Sequence, residues 1–129
     1  MSVYRAELYT QTGQFIYGQY PQALEIEYLR TISTQDLTDA TREQWDEQQM
    51  LHPQRREWLQ QLAAIFPDVT KHDKLTFVVD EQGNNQFYFN QQRVGGIASK
   101  AFSQAFLDIW VSAKTTYPAL RSQLIGEVQ

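Results

Sequence analysis

The chain has no cysteine among its 129 residues. That excludes disulfides, cysteine nucleophiles and thiolate metal sites. Histidine is almost as scarce. His52 and His72 are the only two, and neither has a second histidine or an acidic ligand at metal-site spacing. The six glycines form neither a phosphate loop nor a dinucleotide fingerprint, and no serine sits in a nucleophile-elbow pattern. By elimination a cofactor enzyme is not expected, and neither is a metal site. No apolar run approaches the roughly 20 residues of a membrane span. Met1 to Ala6 lacks the charged-then-apolar pattern of a leader. Basic residues are the minority: 11 Lys plus Arg against 15 Asp plus Glu give a net charge of −4. A nucleic-acid binder would instead carry a basic stripe.

What is present is the material of one folded domain. Hydrophobic residues make up 42% of the chain, which sets disorder aside. The length suits a single domain spanning 1–129. Val3 to Tyr9 alternates, with Tyr4, Ala6 and Leu8 on one side and Arg5 and Glu7 on the other, so a half-buried strand is expected. Ala23 to Ile32 reads as a second strand whose apolar face holds Leu24, Ile26, Tyr28 and Arg30. Glu25 and Glu27 fall on its solvated face. Ser33 and Asp36 have the form of a capping box, opening a helix whose thin apolar stripe suits the outside of the domain. A second helix follows His52-Pro53, with Trp58, Leu59, Leu62, Ile65 and Phe66 at helical spacing, and Pro67 ends it. Lys74–Asp80 and Gln86–Asn90 form an antiparallel hairpin around Glu81-Gln82-Gly83-Asn84. A second tight turn is expected near Gln91-Gln92. Ser99 caps the most amphipathic helix, with Phe102, Ala105, Phe106, Ile109 and Trp110 in one stripe. Pro118 starts a last helix with Leu120, Leu124 and Ile125 inward, and Gly126 stops it. This order predicts an α+β fold: an antiparallel sheet covered on one face by helices.

Two features point beyond the core. Aromatic residues make up 13% of the chain. Large aromatics fill cores, but they also line apolar pockets. Arg30 beside Tyr28 is the most suggestive pair, because a cation on an apolar face needs a carboxylate or an end in water. It could close a structural salt bridge, the commoner arrangement, or hold a ligand carboxylate. His72-Asp73 reads as a surface turn rather than an acid–base pair.

A series of short stretches covers nearly the whole chain in order. It runs through Val3-Tyr4-Arg5-Ala6-Glu7-Leu8-Tyr9 and Leu24 to Ser33. Next come Phe66-Pro67-Asp68-Val69 with Asp73, then Phe89-Asn90 and Gly95-Gly96-Ile97. The closing block is Phe102, Ala105-Phe106, Ile109-Trp110, Leu120-Arg121 and Leu124-Ile125-Gly126. This series resembles the bacterial chalcone isomerase-like family. The resemblance implies an open-faced β-sandwich, a curved antiparallel sheet under a layer of helices. It implies either an isomerase that cyclises chalcones or a relative that binds fatty acids and catalyses nothing. The family's usual strand region ahead of Val3-Tyr4, which supplies a ligand-anchoring arginine, is expected to be missing. A polar threonine of the enzyme is matched here by Tyr4, and a favoured glycine by His72, a residue that tolerates positive φ. Isomerase activity is therefore not expected.

The first expectation is a non-catalytic domain holding a fatty acid or another apolar carboxylate in a sheet–helix cleft, with Tyr4, Tyr28, Arg30 and Trp110 lining it. The alternative is an interaction module with a filled core and no ligand. An open sheet edge would let the domain pair with a second copy, as a homodimer, or with a partner chain. The family resemblance implies a periplasmic location if an upstream signal segment is removed, and a cytoplasmic one otherwise.

Overall fold

Polar–apolar alternation gives the sheet two unlike faces. The computed structural model describes residues 3–126, so the leader reading over Met1 and Ser2 lies outside the described residues. Five strands, β1 (Tyr4–Thr10), β2 (Gln22–Tyr28), β3 (Lys74–Val79), β4 (Asn85–Phe89) and β5 (Gln92–Gly95), lie side by side in chain order. Every neighbouring pair is antiparallel. Leu24, Ile26 and Tyr28 of β2 meet Leu75, Phe77 and Val79 of β3 and Phe87 of β4 on the buried face. Glu25, Glu27 and Thr76 take the opposite face, where Lys74 Nζ lies 3.6 Å from Glu25 Oε1.

Four helices cover the apolar face: α1 (Thr34–Glu47), α2 (Arg55–Ile65), α3 (Lys100–Val111) and α4 (Pro118–Ile125). The Ser33 hydroxyl accepts from the Asp36 N–H at 3.0 Å, and the Ser99 hydroxyl from the Phe102 N–H at 3.1 Å. Each cap satisfies a backbone donor that the first helical turn leaves without a partner. The α3 stripe is buried as its spacing requires, and Ser103, Leu107 and Val111 are buried besides. The reasons are that α1 lies across α3 and that Ser103 packs against the β3–β4 turn, its hydroxyl donating to Gly83 O at 2.7 Å. The indole of fully buried Trp45 donates to Ala105 O at 3.0 Å, and Gln48 Nε2 donates to Asp108 O at 2.9 Å. The α+β sheet-and-helix architecture expected from the element order is the one observed.

One local expectation changes. β2 stops at Tyr28 instead of running to Ile32. Its edge bonds end where Tyr28 N–H donates to Asp73 O and Tyr28 O accepts from the His72 N–H, and the chain then bends. Ile32 rejoins only through a single bridge to Val69. Arg30 is therefore not a member of the Tyr28 strand face; it is an exposed residue just past the strand's end. The tight turn expected near Gln91-Gln92 is present one residue earlier, at Asn90-Gln91, both at positive φ, and it leads into the short strand β5. That twist suits a tight hairpin. Arg55 donates to Met50 O at 3.0 Å and pairs with Asp46, tying α2 to α1.

Candidate functional site

The cleft forms where the sheet and its helical cover diverge. At the Tyr4–Tyr28 end, the inner faces of β1 to β3 stand off from α1 and from the C-terminal half of α3, enclosing about 350 Å³. The floor is Ile26, Leu75, Phe66 and Phe106; Leu37, Ala40, Thr41 and Gln44 of α1 form the opposite wall. The volume lies at the small end of the range for ligand pockets, about 300–1,000 Å³. The lining has the usual character of such sites, apolar with a few convergent polar groups.

All four residues singled out from the sequence line this cleft. Tyr4 and Tyr28 are direct cross-strand partners, with rings edge to face and centroids 6.4 Å apart. Trp110, one helical turn beyond Phe106, donates its indole N–H to the Tyr4 hydroxyl oxygen at 2.8 Å. Burial pushes the Tyr4 phenol up to about 12; the Trp110 N–H opposes this, and Tyr117 beside it adds to it. Burial, with Tyr4 as neighbour, also pushes the Tyr28 phenol up. Burial thus favours the neutral form of both phenols. The Tyr28 hydroxyl meets no hydrogen-bonding side chain among the described residues.

Arg30 stands at the mouth, reached from the bend after β2. Among the described residues it forms no ion pair. The structural salt bridge that the sequence allowed is thus not made. Asp36, in the first turn of α1, shares the lining.

The sequence reading missed Tyr117, Gln44 and Thr41 as lining residues. Tyr117 sits in the connection before α4, where periodicity carries no signal. Gln44 and Thr41 belong to the face of α1 that a thin apolar stripe conceals. His72 and Asp73 build a turn instead of a site. His72 has φ 77°, its Nδ1 lies 3.1 Å from Glu27 Oε2, and Asp73 accepts from the Thr70 N–H at 2.8 Å. Neither lines the cleft. Among the described residues no cluster of His, Cys, Asp or Glu could hold a metal ion. No helix among them is long and apolar enough to cross a membrane.

Comparison with known proteins agrees with this architecture. A Haemophilus influenzae protein, described only as uncharacterized, is 24% identical over 128 residues. The match takes in 98% of this chain but 62% of that protein, so the chain spans about three fifths of its relative's length. Among solved structures, an Arabidopsis thaliana fatty-acid binding protein superposes with a TM-score of 0.70 at 10% identity, over 84% of this chain and 57% of its own. At that identity the likeness is one of fold. The sequence profile described as chalcone isomerase-like matches residues 1–126, nearly the whole chain. The chain belongs to the chalcone isomerase-like family.

Proposed function

We propose that the protein is a non-catalytic binder of a fatty acid or similar apolar carboxylate, held in the cleft between sheet and helices. The observation that carries this reading is an apolar cleft with an arginine at its mouth that no carboxylate of the described chain neutralises. An apolar chain gains free energy on leaving water for such a lining. A guanidinium at the entrance can take the carboxylate through paired N–H donors. The neutral phenols of Tyr4 and Tyr28 offer donors and no general base. The fold neighbour named as a fatty-acid binding protein supports the same reading.

Native mass spectrometry of freshly purified protein, followed by denaturing lipid extraction, is the first test. Added mass released as a fatty acid is the expected result. Arg30→Ala should weaken displacement of a fluorescent fatty acid roughly tenfold, the scale of a lost charge-assisted hydrogen bond. An unchanged affinity removes Arg30 as the anchor. A bare mass together with no titratable binding overturns the reading in favour of an interaction module without a ligand. Turnover of a chalcone would overturn the non-catalytic assignment.

A further inference from the structure

Among the described residues the sheet ends at β5 on one side and at β1 on the other, and these two strands are built differently. β5 is short, contains Gly95 at φ 151°, and follows a register shift at Phe87/Tyr88. Short, bulged edges resist further pairing. β1 has seven residues in unbroken register with β2. The Leu29 N–H donates to Val3 O at 2.9 Å, which places the odd-numbered residues of β1 in hydrogen bonds with β2. The peptide groups of Tyr4, Ala6 and Leu8 therefore point away from the sheet. They border a groove of about 700 Å³ between β1 and α4, walled on the far side by Leu120, Gln123 and Leu124.

We infer that β1 is a self-pairing edge: two copies of the chain join antiparallel through Tyr4, Ala6 and Leu8 about a two-fold axis at Ala6. Charge selects both the occupant and the register. In this register Ala6 faces its own copy, Tyr4 faces Leu8, and the outward-pointing peptide groups meet as hydrogen-bonded pairs. Arg5 then stands opposite Glu7 of the second copy, and Glu7 opposite its Arg5. Both side chains are exposed on the sheet's outer face. Sliding the pairing by one step in one direction sets Glu7 against Glu7. One step in the other sets Arg5 against Arg5. Opposite charges directly across a strand pair stabilise it and like charges destabilise it. Charged residues commonly serve to keep edges apart. The order Arg5-Ala6-Glu7 instead makes one two-fold register complementary to itself, as an isologous interface requires. This pairing is independent of whether the cleft holds a ligand.

Sedimentation velocity of the full chain over a dilution series tests it. The unmodified chain should pass from dimer to monomer on dilution. Arg5→Glu and Glu7→Arg should each raise the dimer dissociation constant roughly tenfold, since each sets like charges opposite one another twice. The double variant R5E/E7R should restore it. Both positions are exposed, so the single variants should fold, which circular dichroism checks. A monomer at every concentration overturns the proposal, whatever else the edge takes. So does a dimer indifferent to Arg5→Glu, or a double variant that fails to recover.

Discussion

At the scale of single residues, the Tyr4–Trp110 pair couples the cleft to stability. The Tyr4 hydroxyl oxygen accepts from the Trp110 indole, which is only 6% exposed. Tyr4→Phe leaves that N–H without its acceptor and should cost about 1 kcal/mol in urea denaturation at neutral pH. The same substitution should change the alkaline limb. Burial raises the folded Tyr4 phenol to about 12 from an ordinary 10.0. A raised pKa favours the protonated form, so this contribution is whole below pH 10 and is lost as pH climbs through 12. Tyr4→Phe should flatten that loss. Tyr28, also raised by burial, should retain part of it. A variant that keeps the full alkaline slope would place the titrating group elsewhere. Glycine matters at one close approach: a Cβ on Gly96 would stand 2.6 Å from Asn85 O, on the backbone beside the buried Asn85–Ile97 hydrogen bonds.

At the scale of elements, the β1–β2 connection is a strap tied to α3. Tyr17 donates its hydroxyl to Asp108 Oδ1 at 2.7 Å, and Gln104 Nε2 donates to the same oxygen at 2.8 Å. Tyr20 reaches Gln104 in turn. Burial pushes the Asp108 carboxyl up despite these two donors. A carboxyl raised in the folded state contributes stability when protonated and loses it as pH rises through its folded pKa. Asp108→Asn keeps an oxygen that both donors can use and removes the half-buried charge. Its melting temperature at pH 7 should equal or exceed that of the parent, with a smaller change between pH 4 and pH 7. A marked drop would mean that the negative charge itself holds the strap. The strap was not legible in the sequence. Phe15-Ile16-Tyr17 is too short to show a period, and its fastening depends on residues some 90 positions away.

At the scale of the whole molecule, the apolar stripes of α1, α2 and α3 converge on the inner face of β2, β3 and β4. The rings of Trp45, Trp58, Phe77, Phe87, Phe102 and Phe106 pack there in edge-to-face and tilted pairs, with Phe102 and Phe106 stacked. That region is filled, and the cleft opens beside it at the Tyr4–Tyr28 end. A ligand that enters only the folded cleft should raise the melting temperature. At one hundred times its dissociation constant the gain is about 2.7 kcal/mol, readable by differential scanning fluorimetry with medium- and long-chain fatty acids. Arg30→Ala should reduce that gain, while Ser33→Ala, which removes a helix cap, should cost about 1 kcal/mol without touching it.

What the sequence by itself determined is whatever depends on neighbours along the chain. Alternation marked β1, β2 and the β3–β4 hairpin, and spacing marked the buried stripe of α3. Ser33, Ser99, Pro118 and Gly126 marked helix ends. Tyr4, Tyr28 and Trp110 were legible as cleft residues because a strand face and a helix stripe each declare their inner side locally. Only the tertiary structure decided where β2 ends. The bend there follows from bonds to His72 and Asp73, more than 40 residues on, and it moves Arg30 from a strand face to the mouth of a cleft. It also decided that the cleft exists. A cavity is the space left when distant elements fail to meet, and no local pattern records how far apart the sheet and α1 will settle.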